Sequence, residues 1–381
     1  MLSIQSVNKL DLQEPIFIPY DIKVSNSTKD KSRFLSFNDT RSVPFINAVN
    51  NYVLTIERFQ IQTPKNLPVF IPVIEPNQAD INRTIYEIIL EQVGTGFTNI
   101  QISWQPQDLT ATPPAGPVGN VQNNIGNYYK CFNYQHFLNI INGSVYTLCK
   151  INTAPPLADE DIPFFTLDES TLNIEFNYSI KFTGFPPVYR LFFNEALYNL
   201  FGTLPALKTL TPSTILNKYQ LSPQFPAIST GNYPGTVIPI YKTTSENTPL
   251  AQWNPIESIT FTSNLPLVST ATANAGQFTS TDFGDSSVGN NIANIISSFA
   301  VPFGPNNTYR AYINYTPTGQ YRFFDLIGTS PLTTININVY YSDWFGNFYP
   351  LYLDPGCNAN ISLLFVRKDY NGLSTNTMLA Y

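Results

Sequence analysis

Acid–base and nucleophilic chemistry need a side chain whose proton can move near neutral pH, and this 381-residue sequence has few. It holds a single histidine, His136, so a Ser-His-Asp arrangement has one candidate base. His136 stands in YQHFLNIINGSVYTL, where Phe137, Ile140, Ile141, Val145 and Leu148 recur at helical spacing, and packing on a helix accounts for it without catalysis. Carboxylates cluster at Asp159, Glu160 and Asp161, and again at Asp168 and Glu169. A glycosidase needs two carboxyl groups on rigid elements flanking a cleft, one of them desolvated. The first cluster lies in APPLADEDIP, a Pro-rich stretch that reads as a solvated loop, and it lacks the alternating oxygen ligands and central glycine of an EF-hand.

The three cysteines, Cys131, Cys149 and Cys357, form no CxxC pair and are expected as buried free thiols. With no paired His or Cys, no metal site is expected. Two motifs are chance matches. Asp282-Phe283-Gly284 spells a kinase magnesium tripeptide without the Gly-rich loop, strand lysine and H-R-D that give it meaning. Gly94-Thr95-Gly96 falls between strand-like runs, with no helix to complete a phosphate cradle. Sequons at Asn26, Asn38, Asn82, Asn142, Asn177, Asn306 and Asn360 are expected in an Asn-rich chain and imply no glycan without a secretory route. No catalytic, cofactor-binding or metal residue is assigned, and no cofactor is expected.

Composition then says what must hold such a chain together. Charged residues are 12% and aromatics 14%, with 31 prolines, which excludes a disordered chain and favours short strands joined by turns. A net charge of −6 argues against nucleic acid as a partner. The nearest basic cluster, Lys23, Lys29, Lys31 and Arg33, is diluted by Asp21 and Asp30 and reads as a solvated surface. No apolar run reaches the ~18 residues of a membrane span, and MLSIQSVNKLDLQ lacks the apolar core of a signal peptide.

The N-terminal region predicts strands in PIFIPYDIKV, RFLSF, NYVLTIERFQIQ and LPVFIPVI. A mixed middle follows: a hairpin of TIYEIILEQ with FTNIQISWQP, the helix around His136, a strand in TLNIEFNYSIKF, and a short helix in RLFFNEALYNLFG. In the last, Asn194 is placed to cap, Leu197, Leu200 and Phe201 form one stripe, and Gly202 stops the helix. Strands return in VIPIY, SITFTSNLPLV, NTYRAYINY, QYRFFDLIG and the alternating run that begins TTININVYY. The order implies one β-sandwich interrupted by a large, mostly β insertion: residues 1–75, then 76–235 inserted, then 236–381.

Three stretches together resemble the minor capsid (penton) proteins of virophages and related polinton-like viruses. They are FNEALYNLFGTLPA (Phe193 to Ala206), WNPIESITFTSNLPLVST (Trp253 to Thr270), and the block from Asn294 to Phe365 with FAVPF, YTPTGQYRFFDLIG and ISLLF in order. The resemblance implies a single jelly roll with an inserted outer domain, five copies of which close a capsid vertex. It implies a homopentamer, a neighbouring major capsid protein and a host or helper-virus surface receptor as partners, and a virion assembled in the infected cell. Trp344 and Phe345 would then end a hairpin, packed on a neighbouring strand or on another subunit. A carbohydrate- or receptor-binding β-sandwich, such as a viral fibre or lectin-like module, would share the composition. A glycosidase using the Asp159 to Glu169 carboxylates is the third reading.

Overall fold

A computed structural model describes residues 15–27, 33–62, 69–72, 74, 85–105, 124–125, 128–131, 133–151, 153–183, 187–209, 218–221, 229–233, 236–253, 256–267, 272–273, 293–300, 312–317, 322–343 and 348–369. The protein is mainly β. Eight principal strands build a sandwich: β1 (Phe17–Ser25), β2 (Ser36–Thr40), β3 (Tyr52–Gln62), β4 (Ile256–Ser263), β5 (Ala293–Ala300), β6 (Tyr312–Tyr315), β7 (Thr334–Asp343) and β8 (Asn358–Arg367). They pair antiparallel in two sheets, β1-β8-β3-β6 and β2-β7-β4-β5. Apart from β4 and β5, which pair with each other, chain neighbours fall on different sheets, the Greek-key winding of a jelly roll.

Alternation in the sequence sets which face is buried. In β7, Ile335, Ile337 and Val339 enter the core while Thr334, Asn336 and Asn338 take the opposite face. Across the core the sheets meet through aromatic rings. Phe59 packs edge-on against Phe261 with centroids 4.9 Å apart, and Phe299 stacks on Tyr315 at 4.1 Å. Such pairs add about 0.5–1.5 kcal/mol each beyond area burial. At one margin Tyr20 Oη of β1 donates to Asp39 of β2 at 2.5 Å, and Arg41 stacks over Phe45 at 4.4 Å, so the two edge strands are clipped together.

The strands and helices that lie between β3 and β4 in the chain form a second core. Its hydrophobic cluster is drawn from Ile74 to Trp253, and the sandwich cluster from Ile22 to Ile61 and Ile256 to Phe365. The central element is the helix Gln135–Lys150, whose Phe137, Leu138, Ile141, Val145 and Leu148 are buried as their spacing requires. Two sheets flank it. One orders Phe164–Leu167, Ile174–Tyr178, Pro239–Thr244 and Ser229–Asn232; the other orders Ala206–Thr209, Lys218–Leu221, Tyr189–Asn194, Glu87–Gln92 and Gly96–Gln101. The second short helix forms at Glu195–Asn199, and Asn194 Oδ1 accepts from the Leu197 N–H at 3.0 Å, the expected cap.

The packing departs from the expected return to the sandwich near residue 236. Pro239–Thr244 pairs with Ile174–Tyr178, and an unforeseen helix, Leu250–Trp253, puts Leu250 and Trp253 in the second core; sandwich packing resumes at Ile256. The points of departure and return share one end of the sandwich. The Leu326 N–H donates to Tyr52 O at the start of β3, and Leu326 bridges Leu267 just past the end of β4. β3 and β4 therefore run oppositely across the core, which leaves Gln62 and Ile256 at the other, common end.

Candidate functional site

The residues singled out for chemistry are structural where the structure describes them. His136 lies in the first turn of the helix Gln135–Lys150, where its N–H donates to Asn133 Oδ1 at 2.8 Å. Its ring meets Trp104 edge-on at 5.5 Å, and Nε2 lies 2.7 Å from Gln105 O; since a carbonyl only accepts, Nε2 carries a proton. Burial lowers its pKa from the ordinary 6.5, the bond to Gln105 opposing that only in part. The unfolded chain therefore takes up the proton first as pH falls, and stability drains away below about pH 6.5. Thermal unfolding of the middle unit is expected to shift down between pH 7 and 5.5, and His136→Gln to flatten that interval, measured by circular dichroism; an unchanged slope in the variant would assign the dependence to other groups.

The carboxylates do not converge on a cleft. Asp159 pairs with Lys150 at 2.8 Å and Asp161 with Lys181 at 2.5 Å. Asp161 is 7% exposed, not solvated as its Pro-rich setting suggested, because Asp159–Asp161 forms a 3-10 turn that tucks it in. Asp168 accepts from the Ser170 hydroxyl and N–H and from the Thr171 hydroxyl, which lower its pKa to about 2. It shapes the turn into Ile174–Tyr178 and stays ionised. Glu169 is exposed beside it.

Cys131, Cys149 and Cys357 are free and buried, and burial raises the first two thiols to about 12, so they are inert. Among the described residues no group of three His, Cys, Asp or Glu could hold a metal ion, and no helix is long and apolar enough to cross a membrane. Gly94 (φ 86°) and Gly96 (φ 144°) form the hairpin turn joining Glu87–Gln92 to Gly96–Gln101, a backbone requirement and not a phosphate cradle. Three sequon asparagines bind protein. Asn26 Nδ2 donates to Leu353 O at 2.8 Å, Asn177 Nδ2 to Thr166 Oγ1 at 3.0 Å, and Asn142 both donates to Phe165 O and accepts from its N–H.

Asn38 and Asn360 lie on β2 and β8. Lys23 and Arg33 are exposed, with Arg33 Nη1 donating to Ser25 O at 3.2 Å. Lys29, Asp30, Lys31, Asn82, Asp282-Phe283-Gly284, Asn306, Trp344 and Phe345 lie outside the described residues, though the strands flanking the last two, Thr334–Asp343 and Phe348–Pro350, pair antiparallel.

What is organised is surface. On the β2-β7-β4 sheet, the face turned away from the core carries Thr40 against Thr334 at 3.2 Å and Asn336 with Asn338 at 3.1 Å, while towards β4 the same face is buried at Thr260, Thr262, Tyr340 and Ser342. Sequence reasoning missed this face; its signal was the run of Thr, Asn and Ser alternating with aliphatic residues in β7.

The jelly roll is an architecture used by capsid and lectin domains and by cupins. Comparison with known proteins separates these uses. The family model described as Sputnik minor capsid protein V18/19 matches residues 18–367, and the chain belongs to that family. It is a structural protein of the virion. The chain is 29% identical over 164 residues to uncharacterized protein V18 of Sputnik virophage, 41% of this chain and 95% of that one. It is also 29% identical over 121 residues to structural protein V19 of the same virophage, 31% of this chain and 52% of that one.

Two solved structures share the fold. One is a chain of the Sputnik virophage particle determined by cryo-EM (TM-score 0.69, 22% identity, 93% of this chain and 99% of that chain). The other is the mavirus penton protein (TM-score 0.58, 15% identity, 92% and 99%).

Proposed function

We propose that five copies of this chain close a ring at an icosahedral capsid vertex. In this reading the jelly roll, residues 15–62 and 256–369, makes the subunit contacts, and the unit from about 74 to 253 is an insertion facing outward. The observation that carries the reading is the family match across 18–367, on a jelly roll whose fold is like that of a penton protein. A ring requires two different complementary patches on each subunit, and a closing rotation between them. The uncharged Thr40–Thr334 and Asn336–Asn338 rows on the outer face of β2 and β7 suit one of these, since interface cores are depleted in charge. The major capsid protein is the second partner, around the ring's periphery. No enzymatic step is assigned, because the carboxylates and His136 are engaged in structure.

Native mass measurement of the purified protein, with negative-stain microscopy, is expected to give five-subunit rings. Monomers and dimers alone, in both low and high salt, would overturn the assignment.

A further inference from the structure

In the strand Ile174–Tyr178, Ile174, Phe176 and Tyr178 enter the second core, so Glu175 and Asn177 share the opposite face. Strand register puts Asn177 directly opposite Lys242 of Pro239–Thr244. The Ser245 N–H donates to Ile174 O, so every second pair from there, 176 with 243 and 178 with 241, is hydrogen-bonded. Asn177 and Lys242 are therefore a non-hydrogen-bonded pair. Such pairs bring their Cα atoms to about 4.5 Å and hold their side chains closest together.

Glu175 ties the two side chains into one network. Its Oε1 accepts from Lys242 Nζ at 2.6 Å, and its Oε2 accepts from the Thr166 hydroxyl at 3.0 Å. Asn177 Nδ2 donates to Thr166 Oγ1 at 3.0 Å and to Glu175 O at 3.4 Å. A backbone carbonyl only accepts, so the amide nitrogen, not its oxygen, faces Thr166. An unbroken hydrogen-bonded chain thus runs from the lysine amine through carboxylate and hydroxyl to the amide nitrogen. Asn177 is 7% exposed, and Phe164 stands opposite it on the other side. A surface ion pair alone would contribute little and would need neither the hydroxyl nor the amide.

We propose that Lys242 and Asn177 form a covalent isopeptide cross-link, with Glu175 as its acid–base catalyst. The parts are an amine nucleophile, an amide carbon held beside it and a carboxylate placed to move protons. Glu175 takes one proton from the ammonium, the freed Nζ lone pair adds to Asn177 Cγ, and the carbonyl pair moves onto Oδ1. Glu175 passes that proton through Thr166 to Nδ2 and takes a second from Nζ. The Oδ1 pair then re-forms the carbonyl, the Cγ–Nδ2 bond breaks, and ammonia leaves. It carries off the second proton as ammonium, which restores the carboxylate. The third Nζ proton stays on the new amide, and nothing is oxidised or reduced. The link closes a loop from residue 177 to 242 and pins Pro239–Thr244, the last strand before the return to the jelly roll, to its neighbour.

Mass spectrometry of the denatured full-length protein tests this. Loss of ammonia is expected to lower the intact mass by about 17 Da from that of the sequence. The tryptic peptide Ile151–Lys181 should appear joined through Lys242, where cleavage is blocked. Lys242→Arg keeps the charge pair without the nucleophilic amine and should show the full mass of its sequence. Glu175→Gln is expected to slow cross-linking by about a hundred-fold or more, the ordinary share of acid–base catalysis. A wild-type mass equal to that of the sequence, or an unlinked Ile151–Lys181 peptide, would overturn the proposal whatever the variants do. A link that forms as fast in Glu175→Gln would overturn the part given to the carboxylate.

Discussion

Trp253→Ala is expected to destabilise the middle unit by about 3–5 kcal/mol, the usual cost of truncating a buried aromatic residue. The indole is fully buried, with ring centroids 4.9 Å from Phe137, 5.7 Å from Phe201 and 5.9 Å from Tyr134. Its Nε1–H donates to Leu200 O at 2.7 Å, so alanine leaves both a cavity and a buried carbonyl without that donor. Trp253 joins the helix start, the Glu195–Asn199 helix region and the return to the sandwich, and none of these can close over the space independently. Calorimetry should show one transition lowered by about 10 °C or more, while a second, belonging to the jelly roll, stays in place. Equal displacement of the whole profile would mean that the two cores unfold as one unit.

Trp253 also shows where the sequence misleads. In WNPIESITF it reads as the first residue of a strand, yet the tryptophan belongs to one core and Ile256 to the other. Pro255 separates them, and a proline is a turn signal only once the partners on either side are known. Likewise Tyr233-Pro234-Gly235 looks like the end of the insertion. It precedes Pro239–Thr244, which pairs with a strand more than sixty residues earlier, and pairing at that range leaves no local trace.

Elements whose cause is local were legible: the Asn194 cap, the apolar stripe of Gln135–Lys150, and the alternation in Tyr52–Gln62 and Thr334–Asp343. The resemblance to penton proteins rested on the order of such elements, and the family match confirms it. Surfaces were not legible. Ile180 and Val237 are exposed beside strand ends far apart in the chain, and only the Tyr178–Tyr241 register puts them at the same end of one sheet.

Replacing residues 63–254 with a short Gly/Ser linker is expected to leave a folded jelly roll. Gln62 and Ile256 lie at the same end of the sandwich, so a linker joins strand ends that already face one way. Closure entropy changes slowly with loop length, about 0.6 kcal/mol per doubling, and a shorter connection favours the folded state slightly. The apolar cluster from Ile22 to Ile61 and Ile256 to Phe365 contains no residue from the deleted segment, and the ring contacts of Phe59 with Phe261 and Phe299 are retained. The shortened protein should be soluble, give a β-type circular dichroism spectrum, lose the transition that Trp253→Ala moves and keep the other. Under the proposed assembly it should still form rings. Aggregation, or melting without a cooperative transition, would show that the jelly roll depends on the middle unit for its core. A folded monomer that forms no ring would leave the domain division standing and move the subunit contacts into the insertion.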